Sequence, residues 1–590
     1  MGKEKFYTSE RNVQIVLSLL KANGIRKIIA SPGTTNFTFV GSVQNDPFFE
    51  VYSAVDERSA AYMACGMAAE SGEPVVLSCT GATASRNYYP GLTEAYYRKL
   101  PVLAITSHQG KDRIGQLLSQ NIDRRVLAND IARISVELPV VKARRDEDYV
   151  VMEANKAMLE LRRDGGGPVH INLITTYSRD FSVKELPPVT VMRRFHAWDR
   201  LPELPAGRIG IYAGSHTRFS DKQNTAIERF CATYDAVVIC DHTSGYYGRY
   251  MLLPTLLLLQ SDATSPFPKL DLMIHIGEIS AATFHGKIPA KEVWRVSEDG
   301  ELRDPFMKLT TVFQMSEEMF FLHYGKDGCD RHAFIDECAE LCGEIYGRIP
   351  ELPFSNIWAA TQLSSRLPKG ALFHMGVSNT RRCWNIFQLP SGVESACNVG
   401  CCGIDGCVST LIGASLVNPD RLCYIVVGDL TFFYDLNSLG NRHVGKNLRV
   451  MLINNGRGAE FRLYHHPAHV FGDDADKYMA AAGHFGNKSP LLVKHYAEDL
   501  GFRYMSASTK KEFIEALTDF TNPRLCDRSM VLEVFTDSKD ENKALYLMSH
   551  IQSDVKGMVL SKLKDTVRNV TGEKGVYELK SFLNKRPKNG

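Results

Sequence analysis

The sequence predicts an α/β protein made of three doubly wound parallel-sheet domains. Apolar, strand-like runs alternate with segments of helical periodicity along most of the chain, the pattern of a parallel sheet covered by helices. Two proline-rich breaks, Glu185 to Gly207 (ELPPVTVMRRFHAWDRLPELPAG) and the pair Pro350 and Pro353, divide that alternation into three parts. A chain of 590 residues is also too long for one hydrophobic core and suits three or four domains.

In the first part, Val13, Ile15, Val16, Leu19 and Leu20 recur at helical spacing, Gly24 supplies a stop, and KIIASPG reads as a strand entering a tight turn. VVLSCT and PVLAITS continue the alternation, and this domain is expected to span residues 1–185. RIGIYAG, AVVICDH, LMIHIGE and TTVFQMS are the strand-like runs of a second domain, 186–350. A third is expected over 351–550, followed by a charged tail, 551–590; no short-period repeat or low-complexity block interrupts them.

The formal charge of +2 gives no general reason to expect nucleic-acid or anionic-membrane partners. The start, MGKEKFYTSE, has no apolar signal core, and the run MLLPTLLLLQ contains a proline and is too short to span a bilayer, so a soluble cytoplasmic protein without membrane contact is expected. Fourteen cysteines in so long a chain do not make a disulfide scaffold and are expected to be reduced and mostly buried.

The third part carries the most informative chemistry. The apolar run YIVV leads into GDLTFFYDLN, and the run VMLI ends in Asn454, Asn455 and Gly456. Between them Phe432, Phe433, Leu436 and Leu439 fall at helical spacing, so the segment reads as strand, helix, strand. Such a crossover makes the two strands parallel and brings both carboxyl ends to one sheet edge, where Asp429 and Asn455, 26 positions apart, can meet. A carboxylate and a carboxamide oxygen suit a hard cation such as magnesium or calcium, with a ligand's phosphate oxygens completing the coordination. The same residues could instead cap the helix and form a turn.

A GD pair, an intervening helix and an NN pair at this spacing resemble the diphosphate-binding motif of thiamine-diphosphate-dependent enzymes. Leu430 stands where that family most often has Gly or Ala. The resemblance implies that Asp429, Asn455 and the backbone carbonyl of Arg457 hold Mg2+. The segment VDERSAAYMACGMAAESG resembles the family's glutamate motif and nominates Glu57 as the acid at N1′ of the aminopyrimidine. Read without the resemblance, Asp56 and Glu57 simply open a helix.

TGATASRNYYPGLTEAYYRKLPVLAITS is similar to the family's pyrimidine-binding domain, with Asn87, Pro90, Gly91 and Glu94 at familiar places, and Gln120 matches a glutamine near the cofactor. The resemblance covers about residues 10–540 and makes the three domains pyrimidine-binding, central Rossmann-like and diphosphate-binding. It also implies a homodimer or a dimer of dimers, because in this family the glutamate of one subunit faces the metal site of another.

Within the family, DERSA, NVGCCGIDG and GDLTFFYDLN are most similar to the menaquinone-pathway synthases that join 2-oxoglutarate to isochorismate. Those enzymes usually show NRGASGIDG and a PGSRS-like turn, whereas this chain has Val399 in place of the arginine and Thr34 and Thr35 in place of Ser-Arg. Neither Val nor Thr replaces a bidentate cation that clamps a carboxylate, so a shared cofactor with a different substrate is expected.

Gly403 and Ile404 fall where the family supports the bent cofactor, and Ser378, Asn379, Gly428, Leu430 and Thr431 where it approaches the diphosphate. Thr34, Thr35, His108, Glu460, Arg462, Tyr464, His465 and His466 are the candidates for substrate contact, with solvated loop positions as the alternative. Pro467 breaks the helix that would align His465 with His469, and the spacing of Cys397, Cys401, Cys402 and Cys407 matches no familiar zinc site. GIYAGSH lacks a full GxGxxG fingerprint, so FAD is not expected.

These readings together predict decarboxylation of a 2-oxo acid donor, after which the enamine is added to a second small-molecule electrophile (a carboligase) or protonated (a simple decarboxylase). A noncatalytic family subunit is the alternative from another class; the retained Glu57, Asp429 and Asn455 argue against it.

Overall fold

The computed structural model describes residues 5–124, 126–261, 265–282, 286–483 and 488–552; the expected C-terminal tail lies outside the described residues from position 553 onward. The strands form the three expected parallel sheets. The chain folds as two compact units, Met1–Leu201 with Asp299–Gln314, and Pro202–Glu298 with Met315–Gly590.

In the first unit, β1 (Lys27–Ala30), β2 (Glu50–Ser53), β3 (Val75–Thr80), β4 (Val102–His108), β5 (Ser135–Leu138) and β6 (Val169–Ile174) form a sheet in the order β2-β1-β3-β4-β6-β5. The central strands are almost wholly buried, as parallel strands covered on both faces must be, whereas edge strand β2 is exposed along its length. Helix α1 (Arg11–Ala22) buries Val13, Val16, Leu17 and Leu20 in the same core as α2 (Phe37–Val43) on one face.

On the other face, α3 (Glu57–Ser71) presents Ala60, Ala61, Ala64 and Ala68, small residues that let a neighbouring helix come close. A short helix, α4 (Thr83–Asn87), leads into α5 (Tyr89–Tyr97), which takes that place: a Cβ on its Gly91 would lie 2.4 Å from the Ala61 Cβ, so only glycine permits this approach.

The segment read as a proline-rich linker contains a strand, β7 (Arg193–His196). In the second unit, β8 (Ile209–Ala213), β9 (Val237–Ile239), β10 (Met251–Leu252), β11 (Leu270–Ile276) and β12 (Ala290–Ser297) pair in the order β10-β9-β8-β11-β12. Strand β13 (Leu309–Gln314), in the first unit, runs parallel to β7. The flanking prolines and the charged Arg193 and Arg194 hid β7 from a reading based on apolar runs.

The second unit also holds β14 (Leu372–Met375), β15 (Glu394–Cys397), β16 (Cys423–Gly428), β17 (Leu448–Asn454), β18 (Arg503–Ala507) and β19 (Met530–Phe535), in the order β15-β14-β16-β17-β19-β18. Val427, Leu452 and Phe432 are wholly buried in one core beneath this sheet, and side chains of that size each contribute about 1.5–3 kcal/mol by leaving water. The β16–β17 connection begins as a short α-helix, Asp429–Tyr434, and tightens into a 3-10 turn over Leu436–Gly440.

Candidate functional site

Strands β16 and β17 run in parallel register, with Gly428 opposite Ile453, so the residues that follow both strands emerge at one edge. Asp429 is 2% exposed there. Its Oδ1 accepts the Leu430 N–H at 2.7 Å, and its Oδ2 accepts the backbone N–H groups of Asn455 (3.2 Å), Gly456 (2.7 Å) and Arg457 (3.1 Å). Gly456, at φ 81°, turns the chain so that three successive N–H groups converge on one oxygen. Burial nevertheless pushes the Asp429 carboxyl up to about 6, against the lowering effect of these donors.

Beside it lies a cavity of about 200 Å³, whose walls include Ser378, Asn379, Ile404, Gly428, Asp429, Leu430, Thr431, Asn455, Arg457 and Glu460. Gly403 is not among its walls; it sits against the Asp405 carboxylate. Ser378 holds φ 57° and ψ −124°, a left-handed strain carried by a non-glycine residue at the mouth of the turn after β14.

Three features fit these residues to a metal-bound diphosphate. The Asn455 Oδ1 is buried with no hydrogen-bond partner, an oxygen ligand in waiting. A Cβ on Gly428 would meet no protein atom within 4 Å, which leaves that wall of the cavity open to a bound group. The donor set is all oxygen, as hard cations require. Among the described residues no group of three or more His, Cys, Asp or Glu side chains could hold a metal, so a ligand's own oxygens would have to complete the shell.

The first unit holds the other predicted residues. Asp56 caps α3, accepting the Arg58 N–H at 3.0 Å, and Glu57 opens the helix half-buried. Asn87 donates to the Glu57 carboxylate at 3.4 Å, so the structure brings these two together. Gln120 is exposed on an irregular segment at φ 66°. Thr34 is exposed, while Thr35 is 6% exposed and spends its hydroxyl on Thr80 and on the Ser107 carbonyl. Burial, with the Arg124 charge nearby, pushes the His108 imidazole down to about 4 and keeps it neutral at ordinary pH.

The polar-aromatic run after β17 is tied largely to itself and to neighbouring segments. Glu460 receives both terminal nitrogens of Arg382, at 2.7 and 2.8 Å; burial raises its carboxyl, but the Arg382 hydrogen bonds and charge win and hold it below the ordinary value. Arg462 is bound to the Gly472 carbonyl and to Asp473. Tyr464 shares a hydrogen bond with the Ser549 hydroxyl at 2.7 Å. His466 caps the following 3-10 segment through Nδ1, which accepts the Ala468 N–H at 3.1 Å, and His465 is exposed.

Two residues of this region escaped the sequence reading. Arg382 was signalled only by its place in TRRC, just after Ser378 and Asn379. Glu541, 2% exposed, accepts the Asn356 N–H at 2.9 Å and the Thr536 hydroxyl at 2.7 Å, and burial pushes it up to about 7. No local pattern marks it.

Residues 11–127 match the family described as "Thiamine pyrophosphate enzyme, N-terminal TPP binding domain". The chain is similar to three proteins named 2-succinyl-5-enolpyruvyl-6-hydroxy-3-cyclohexene-1-carboxylate synthase. With that of Bacteroides fragilis it shares 30% identity over 572 residues, which covers 91% of this chain and 98% of the relative. With that of Bacteroides thetaiotaomicron it shares 29% over 581 residues, covering 91% and 98%. With that of Porphyromonas gingivalis it shares 28% over 566 residues, covering 90% and 95%.

Proposed function

The chain belongs to the family of thiamine-pyrophosphate-dependent enzymes that includes the 2-succinyl-5-enolpyruvyl-6-hydroxy-3-cyclohexene-1-carboxylate synthases, and on that premise we propose that it is a magnesium-dependent 2-oxo acid decarboxylating carboligase with a substrate of its own. The observation that carries the cofactor half of this reading is the meeting of Asp429 and Asn455 at one sheet edge, with the Asn455 Oδ1 buried and unpartnered.

The bound cofactor would supply a nucleophilic carbon that can add to a keto carbon and a cationic ring that can take up the electron pair left behind when carbon dioxide departs. Asp429, Asn455 and the Arg457 carbonyl would hold Mg2+. Gly428, Ser378 and Asn379 would border the diphosphate, and Ile404 would offer an apolar surface. Glu57 would hold a proton at the aminopyrimidine N1′, oriented by the Asn87 hydrogen bond.

A different substrate is supported by two departures from the relatives' motifs. Val399, where a clamping arginine is usual, is 7% exposed and carries no charge. Thr35 stands at the second such place with its hydroxyl already engaged. Arg382, held by the cavity-wall residue Glu460, is a cation that could meet a substrate carboxylate if the pair opens. The assembly we propose is a homodimer or a dimer of dimers. Among the described residues no helix is long and apolar enough to cross a membrane.

The test is a screen of 2-oxo acids for carbon dioxide release by the full chain with thiamine diphosphate and Mg2+, alone and with aldehyde or enone acceptors. A carboligase needs the acceptor for rapid turnover, and Glu57→Gln should abolish it. Rapid turnover with donor alone would make the protein a simple decarboxylase, and turnover unchanged by Glu57→Gln would refute the mechanism.

A further inference from the structure

A cavity of about 670 Å³ in the first unit is in the size range of small-molecule sites. It opens between the end of β1, one face of α2 and edge strand β2. None of Glu57, Asn87, Thr34 or Thr35 lines it.

Its walls divide by chemistry. Phe37, Val40, Val51 and Phe181 make an apolar body, with the Phe37 and Phe181 rings 6.0 Å apart. Two cations, Lys5 and Arg179, line it and no acid does. The segments that carry them are tied together: the Phe6 N–H donates to the Phe181 carbonyl at 2.8 Å and the Tyr7 N–H to the Val183 carbonyl at 2.9 Å. Neither cation has an ion pair or side-chain hydrogen bond among the described residues.

Two buried polar groups belong to the same walls. Both Asn36 and Ser31 are 1% exposed, and the Asn36 Oδ1 has no hydrogen-bond partner. Buried polar atoms are rarely left unpaired without a reason, and Asn36 is a wall residue of this cavity. Asp46, just past the end of α2, is engaged by Lys21 and the Tyr7 hydroxyl, both at 2.6 Å, and is not a wall residue of the cavity.

We propose that this cavity binds a small carboxylate with an apolar body, its carboxylate at the Lys5 and Arg179 end and its body against Phe37, Val40 and Phe181. A guanidinium meeting a carboxylate supplies charge-assisted hydrogen bonds that a neutral amide cannot match. The apolar wall adds area that a bare inorganic anion cannot use.

The experiment is a calorimetric titration of the full chain with phenylacetate, phenylacetamide and inorganic phosphate, repeated on Arg179→Gln and on Ser53→Trp, which would fill the mouth from the exposed edge strand. Phenylacetate should bind at least about 10-fold tighter than phenylacetamide or phosphate, weaken by about 10-fold in Arg179→Gln, and lose measurable binding in Ser53→Trp. Both positions are exposed, and unchanged melting temperatures will show that the variants fold. Absence of phenylacetate binding, equal binding of the amide or of phosphate, or affinity unaltered by either substitution would overturn the proposal.

Discussion

The Asp429 Oδ2 accepts the Asn455 N–H at 3.2 Å, while the Asn455 side-chain Oδ1 is buried without a partner. One residue therefore already does structural work and the other still has an oxygen to offer. The two should separate in experiment. Asp429→Ala orphans three convergent N–H groups and should lower the stability of the cofactor-free chain by about 1–3 kcal/mol. Asn455→Ala should change that stability by less than about 0.5 kcal/mol yet weaken magnesium-dependent cofactor binding. Thermal melts of both variants, with and without Mg2+ and thiamine diphosphate, check this.

Glu541 gives the chain a specific pH dependence. Its folded-state value, about 7, lies above its ordinary 4.5, so between these limits the folded chain keeps a proton that the unfolded chain has lost. Stability from this group is complete below pH 4.5, falls as the pH rises to about 7, and is flat beyond. The fall amounts to about 3 kcal/mol. Denaturant unfolding across this range should show the slope in the native chain and a smaller one in Glu541→Gln, where the part that Asp429 contributes up to about pH 6 remains.

Gly91→Ala places a methyl group where the Ala61 Cβ already stands, 2.4 Å away. Forcing α5 off α3 should cost about 1–3 kcal/mol, read as a lower denaturation midpoint with unchanged slope.

Arg382 and Glu460 form a two-pronged pair at 2.7 and 2.8 Å, with side chains only 25% and 21% exposed. A double-mutant cycle with Arg382→Leu and Glu460→Leu should return a coupling of about 1–3 kcal/mol. Coupling near zero would mean the pair is solvent-screened and free to open.

The three sheets and the Asp429–Asn455 meeting were legible because apolar runs and a crossover of fixed hand determine both, whatever the rest of the chain does. Asp429 does not cap the helix it opens, the alternative the sequence offered; its carboxylate instead accepts the N–H groups of the turn at Asn455, Gly456 and Arg457. What was not legible depends on partners distant in sequence. Strand β7 is half-exposed and charged, and its pairing with β13 supplies what its own residues do not. The Arg382–Glu460 pair joins residues 78 positions apart, and nothing near Thr35 announces that Thr80 and the Ser107 carbonyl will take its hydroxyl.

The central claim is a magnesium-dependent thiamine diphosphate site built on Asp429 and Asn455. Calorimetric titration of the full chain with thiamine diphosphate, with and without Mg2+, tests it most directly. Binding that requires Mg2+ and disappears in Asp429→Ala is the predicted result. No magnesium-dependent binding by the native chain, or binding that survives intact in Asp429→Ala, would contradict it.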